Sequence, residues 1–200
     1  MSENRELRIE QLELPEIRQI YRLYLTHDFP LNERKPLRMI KAALKRGEYR
    51  CFGAKDSEGL KAYAFFVCIQ NEGENLFLFD YLAVIKEYRG TGIGSHVLQL
   101  LSHTITQEAE HTLLEVDDPI FSKDSENRAV RERRLHFYLK NGLHDTCVRA
   151  RVYGADYMIL ELPGKEWSSP DQAKESYETL YHAILPDKIY TKMVSVRLSE

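Results

Sequence analysis

The chain has 200 residues, with 28 Lys+Arg against 31 Asp+Glu and a formal net charge of −3. That length suits one domain with room for an appendage, and the charge leaves no excess of cations to neutralise phosphates, which argues against nucleic acid as the main partner. Apolar residues make up 43% and charged residues 30%, the balance of a globular chain rather than a disordered one.

The longest apolar run, residues 62–69, is far too short to span a bilayer. Residues 1–10 are polar and charged, so no secretory signal is visible. Cys51, Cys68 and Cys147 are scattered and form no CxxC pair. Neither a disulfide framework nor a metal site is expected, and a reducing cytoplasmic location fits.

Leu7 and Ile9 alternate with Arg8 and Glu10, the period of a half-buried strand. Pro15 then opens a helix whose apolar stripe is Ile17, Ile20, Tyr21 and Tyr24. A loop over residues 27–35 leads to a second helix, with Leu37, Ile40 and Leu44 on one face and Gly47 as its stop. Three strands are predicted next, at 49–54, 60–69 and 75–84, with turns at 56–59 and 71–74. The second and third carry aromatic and branched residues on both faces and read as buried on both sides.

After Gly90 to Gly94 a long helix is predicted to about Glu110, with Ile93, Val97, Leu100, Leu101 and Ile105 as its stripe. A strand at 111–116 ends in Asp117, Asp118 and Pro119, and a helix at about 125–141 closes on Gly142. Residues 143–152 and 156–162 read as a hairpin turning at Gly154, and 163–170 as a linker. Ser169, Pro170 and Gln172 supply an N-cap, a first-turn proline and a capping-box partner. The helix they start, about 170–185, has a stripe of Ala173, Tyr177, Leu180 and Tyr181 and stops at Pro186. Val194, Val196 and Leu198 alternate in a last short strand near 193–198.

The segment Arg89-Gly90-Thr91-Gly92-Ile93-Gly94 joins a buried strand to a long helix. A helix start leaves backbone N–H groups without partners, and the helix dipole adds positive charge there. Glycines let phosphate oxygens come close to that backbone, and an arginine can add a charged donor. A P-loop would need Lys after the last glycine, where Ser95 stands, and a GxGxxG fingerprint begun at Gly90 would need glycine at that same Ser95. Both fail on spacing. A plain tight turn is the structural alternative.

The context from Phe79 through Leu82-Ala83-Val84 to Gly94 resembles the acetyl-CoA signature of the GNAT superfamily of N-acetyltransferases. Arg89, Gly92 and Gly94 stand at the defining positions of Gln/Arg-x-x-Gly-x-Gly/Ala, and the element order is similar over residues 7–162. The resemblance implies an α/β (α+β) fold: a mixed, mostly antiparallel central sheet flanked by helices. It divides the chain into a GNAT domain at 1–163 and a C-terminal helical tail at 164–200.

It also implies roles. The amides of Arg89, Gly90, Thr91, Gly92, Ile93, Gly94 and Ser95 would hold the CoA pyrophosphate, and those near Leu82, Ala83 and Val84 the pantetheine and the thioester oxygen, where an amide stabilises developing negative charge. A second signature, Tyr-x-x-x-Gly-Phe, falls on Tyr138, Gly142 and Leu143, with Leu143 in place of Phe. Tyr138 would then be the general acid that protonates the departing thiolate; packing beside Phe137 is the alternative. The asparagine that many members place seven residues before that tyrosine is Arg131 here, and the nearest one, Asn127, is a weak substitute contact. Arg128, Arg131, Arg133 and Arg134 form either phosphate contacts or a solvated face.

The general base stays open among Glu115, Asp117, Asp80 and Asp118, with Glu115 and Asp117 on one side of their strand. His96 and His103 read as surface positions. The implied activity is transfer of the acetyl group of acetyl-CoA, a co-substrate, to a primary amine by direct attack in a ternary complex. The other reading is a non-catalytic CoA-binding sensor of the same fold. Polyamine, amino sugar and protein amine all remain open as acceptors, and the tail could also support a homodimer.

Overall fold

The computed structural model describes residues 6–164 and 167–199. Half of the polar N-terminal stretch, two residues of the expected linker and residue 200 lie outside the described residues. Contacts divide the chain into two units: Met1–Cys68 with Phe79–Thr104, and Ile69–Leu78 with Ile105–Glu200.

The first unit begins with β1 (Arg8–Gln11) and α1 (Leu14–Ile20). Glu13 and Glu16 form a reciprocal capping box at the helix start. The helix stops near His27 as expected, but it is not regular up to that point. It widens into a π-helical turn, Tyr21–Leu25, and finishes as α2 (Thr26–Asp28). The wide turn explains a correction to the predicted stripe: regular spacing from Ile20 points Tyr24 inward, whereas the extra residue brings in Leu25, which is fully buried. α3 (Leu37–Arg46) ends at Gly47, whose φ of +79° is the left-handed conformation of a helix stop.

β2 (Tyr49–Asp56) pairs antiparallel with β1 and with β3 (Gly59–Asn71). In β3 every residue from 61 to 68 is buried, so the two-sided burial read from its composition is found. β4 (Glu74–Val84) is followed by a 3-10 turn, Lys86–Tyr88, and by α4 (Ile93–Ile105).

In the second unit the β3–β4 hairpin turns on Glu72 and Gly73, with φ of 50° and 94°. Two positive φ values in a two-residue loop match the right-handed twist of the strands. α4 ends five residues short of the predicted Glu110 because the chain there is tied to β4. The Asn75 amide donates to the Glu110 carboxylate at 2.6 Å, and the Asn75 side chain donates to the Glu108 carbonyl at 2.9 Å. β5 (His111–Asp117) is thereby laid parallel to β4, with Leu76, Phe77 and Leu78 opposite His111, Thr112 and Leu113.

α5 (Ser125–Lys140) is capped by Asp124, which accepts from the Asn127 amide. β6 (His144–Val152) and β7 (Ala155–Glu161) form the expected hairpin, and β7 pairs antiparallel with β5. α6 (Pro170–Ile184) carries the Ser169–Gln172 capping box that the sequence announces. The chain then breaks at Leu185 and Pro186 and starts a helix the sequence reading missed, α7 (Asp187–Met193), before β8 (Val194–Leu198) pairs antiparallel with β6.

α6 is held by its apolar face and at its start. Ala173, Tyr177 and Leu180 are fully buried. Before its first turn, Ser168 donates its amide and hydroxyl to the buried carboxylate of Glu161, which also meets His111 at 2.9 Å. That contact with Glu161 outweighs burial and lifts the His111 pKa above its ordinary value. The fold is thus mixed α/β with mostly antiparallel strands flanked by helices, β4–β5 being a parallel pair.

Candidate functional site

The first unit contains the glycine loop. Gly90 and Gly92 have φ of 78° and 88°, and no atom lies within 4 Å of a Cβ built at either. Glycine is needed here for backbone conformation, and the space beside the backbone is open. Ser95 and His96 return their amides to the Gly92 carbonyl at 3.1 and 3.3 Å, so the helix is wound directly onto the loop. The earlier amides of the first turn have no acceptor inside the helix and are what an anion would meet. The loop therefore fits a pyrophosphate: room, donors and a helix start coincide.

Arg89 does something other than expected. Its Nε donates to the Val84 carbonyl at 2.8 Å, and its Nη2 donates to Asp28, which also accepts from the Tyr63 hydroxyl at 2.8 Å. The guanidinium thus fastens the loop to the end of β4 and to α2. Thr91 adds a bond from its hydroxyl to the Tyr88 carbonyl at 2.7 Å.

Lys61 supports the same turn and was not singled out by its sequence. It is 2% exposed, sits 3.0 Å from Glu58 and 3.2 Å from Asp56, and its Nζ lies 4.0 Å from the centre of the Tyr88 ring. Burial alone would lower its pKa; contacts with Tyr88, Glu58 and Asp56 outweigh that and leave it raised. The available signal was a cation standing at the edge of a fully apolar strand.

Asp80, one candidate base, is engaged on both oxygens. Oδ1 receives Lys35 Nζ and Oδ2 the Tyr49 hydroxyl. Next to it the Tyr81 hydroxyl accepts from the Lys35 amide at 2.7 Å and donates to the Glu33 carbonyl at 3.1 Å. These bonds pin the loop after α2 to β4. Cys51 is buried nearby; burial, reinforced by Asp80, pushes its thiol far up, which keeps it protonated and unsuited to nucleophilic attack.

The second unit contains the other candidates. Glu115 lies on β5, and its Oε1 accepts from two phenols of α6, Tyr177 and Tyr181. Asp117, two residues on, meets α5 instead: Arg134 at 3.0 Å and Arg131 at 3.8 Å. Asp118 is buried and accepts from the Ile120 amide at 2.9 Å, which makes it a turn residue. Arg131 also donates to the Asp118 carbonyl at 2.8 Å, and Arg128 pairs with Glu132 at 2.8 Å. Asn127 takes part in the cap of α5. Most of the arginine set is thus committed within the unit.

Tyr138 is half-buried on α5, its ring edge-on to Phe137 at 5.3 Å. Burial raises its pKa while the Arg134 charge pulls it back, so it is a protonated phenol at neutral pH with a cation positioned to favour its phenolate. Among the described residues its hydroxyl has no hydrogen-bond partner. His96 and His103 are exposed. Among the described residues no group of His, Cys, Asp or Glu could hold a metal ion, and no described helix is long and apolar enough to cross a membrane.

Residues 47–143 match the family model described as Acetyltransferase (GNAT) domain. That segment, 97 of 200 residues, is what the chain shares with the GNAT acetyltransferases. Solved structures with a similar fold include the ribosomal-protein-S18-alanine N-acetyltransferase of Escherichia coli, 18% identical, covering 82% of this chain and 97% of that one, with a TM-score of 0.57. Spermidine N-acetyltransferase of Vibrio cholerae, in complex with CoA and spermine, is 14% identical over 78% of this chain and 94% of its own, with a TM-score of 0.57. A Bacillus subtilis acetyltransferase in complex with CoA is 16% identical over 78% and 98%, with a TM-score of 0.53. No curated protein matches the chain by sequence.

Proposed function

We propose that this protein is an N-acetyltransferase that moves the acetyl group of acetyl-CoA onto a primary amine by direct attack, without an acyl-enzyme. The observation that carries the reading is the open, positive-φ glycine loop at the start of α4, inside the segment that matches the GNAT family model. Acetyl-CoA supplies an activated acyl group; the chain's own residues do the rest. Residues 89–95 hold the pyrophosphate through backbone amides, and the backbone of Leu82, Ala83 and Val84 receives the pantetheine arm and the thioester oxygen.

The base is Glu115. Protonating Asp80 or Asp117 breaks an ion pair with Lys35 or Arg134, whereas two of the groups that hold Glu115 are neutral phenols. Two protons leave the attacking nitrogen. Glu115 takes the first from the ammonium form and releases it to solvent. As the new C–N bond forms and the C–S bond breaks, Tyr138 gives its phenolic proton to the sulfur and is restored by the second nitrogen proton.

Two structural neighbours are named for an alanine of ribosomal protein S18 and for spermidine, so both amine classes belong in the first test. Free CoA release from acetyl-CoA, measured across peptides, polyamines and amino sugars, is expected to exceed the amine-free rate with one class. Acetyl-CoA binding with no turnover in any class would favour the non-catalytic sensor.

We further propose that residues 1–163 form the transferase domain and that the extension at 164–200 is an integral layer of it. Three residues of α6 are fully buried and β8 pairs with β6. A chain ended after Gly164 loses the burial of Tyr177 and Leu180, about 1.5–3 kcal/mol each, together with the β6–β8 bonds. Its Tm is expected to fall by at least about 10 °C in calorimetry; an unchanged Tm would make the tail dispensable.

A further inference from the structure

We infer that Tyr177 and Tyr181 are positioning residues that keep the Glu115 carboxylate ionised and oriented, so that the C-terminal helix completes the catalytic machinery. The inference rests on the reading of Glu115 as the base. Both tyrosines lie outside residues 47–143, the segment matching the family model, so the pair belongs to this chain's own extension.

The geometry is specific. Tyr177 and Tyr181 stand at i and i+4 on α6, where side chains share one face. Their rings lie 4.8 Å apart at 42°, and both hydroxyls converge on the same oxygen, Oε1 of Glu115, Tyr181 at 2.5 Å. Tyr177 is fully buried and Tyr181 is 8% exposed. Burial first, and the Glu115 charge second, hold both phenols well above the ordinary tyrosine value. They therefore act only as donors through the neutral range. Two donors on one oxygen fix the rotation of the carboxylate and favour its charged form. Neither donor is a cation, so neither holds the charge as firmly as an ion pair would.

Chemistry gives a reason for this arrangement. A base taking a proton from an ammonium must be ionised when the substrate arrives, yet must become neutral without collapsing its surroundings. A phenol serves both states: it donates to the carboxylate, and it still bonds to the carboxyl oxygen after protonation. An arginine in its place would hold the charge too firmly.

Tyr177→Phe, Tyr181→Phe and the double variant remove the hydroxyls and keep the rings. Tyr190→Phe, whose ring stacks on His182 at 3.8 Å, is the control. The first readout needs no turnover: a carbon-13 NMR titration of the glutamate carboxyls in the full chain, with the Glu115 signal assigned by its loss in Glu115→Gln. Each single variant is expected to raise the Glu115 carboxyl pKa by about one unit, the loss of one hydrogen bond to a charged group. The double variant is expected to raise it further, and the control to leave it in place. Once an acceptor is known, the acid limb of kcat/KM against pH is expected to move up by the same amount, with the KM for acetyl-CoA unchanged.

A Glu115 titration that stays within about 0.2 units in variants with wild-type melting curves overturns the inference, even if acetyl transfer is intact. A shifted titration in a protein that acetylates no amine leaves the coupling standing and overturns the transferase reading instead. If the double variant unfolds, the Tyr181→Phe titration decides alone, since that side chain lies at the edge of the buried layer.

Discussion

Replacing Gly92 with valine is expected to lower acetyl-CoA affinity about 10- to 100-fold while the chain stays folded. Two effects combine. The φ of 88° at this position lies in the left-handed region, where a β-branched residue is strained by roughly 1–3 kcal/mol and drives the loop toward another conformation. The valine side chain also enters the space beside the amides, which is open in the structure. Losing one charge-assisted bond to a phosphate costs about 1.5–3 kcal/mol, and every 1.4 kcal/mol is tenfold in affinity. Strain alone must be separated from blocked binding. Gly47 provides the control: its φ is 79°, it too has nothing within 4 Å of a built Cβ, and it closes α3 rather than the loop. Gly47→Val is expected to cost similar stability and leave affinity unchanged. Calorimetric titration of both variants checks this. Equal acetyl-CoA affinity in Gly92→Val and the native chain would remove the loop from the binding site.

What could be read from the sequence is what local physics dictates. The strands were legible from their period and composition, and the glycine loop from its glycines and arginine between a buried strand and a long helix. The start of α6 was legible because Ser169, Pro170 and Gln172 satisfy a helix end with residues adjacent in sequence. The misses were decided at a distance. α4 stops early because Asn75 captures Glu108 and Glu110, contacts 33 and 35 residues apart. Arg89 turns inward because Asp28, 61 residues away, waits for it. Tyr177 and Tyr181 read as members of an apolar stripe, and their rings are indeed buried; only their hydroxyls, 62 and 66 residues from Glu115, reveal the second role. The π-helical turn left no trace in a pattern that assumes regular spacing. α7 is short, opened by a proline that reads equally well as a stop. For the end of α4, for Arg89 and for the two tyrosines, backbone preference was visible and the distant polar partner was not.

Tyr138→Phe is expected to reduce kcat by roughly 10²–10⁴-fold, the usual contribution of a positioned acid. The substitution keeps the ring, and with it the edge-on contact to Phe137 at 5.3 Å. Because the hydroxyl has no partner among the described residues, its removal strands no donor or acceptor in the fold, and stability is expected to stay within about 1 kcal/mol. KM for acetyl-CoA is expected to change little, since a proton delivered to sulfur is an interaction made in the transition state and not in the bound ground state. Arg134 sharpens the expectation. Its charge lowers the cost of the phenolate against the burial that raises it, so Arg134→Gln is expected to lower kcat in the native chain and to have almost no further effect in Tyr138→Phe. Two residues acting through one proton transfer are non-additive in this way; two independent contributors would multiply. The measurement is single-turnover acetyl transfer, with the acceptor found in the amine screen, in the four proteins of that cycle. A Tyr138→Phe variant within about threefold of the native rate, with chemistry limiting, takes the tyrosine out of the mechanism and leaves the nitrogen's own second proton to reach the sulfur directly.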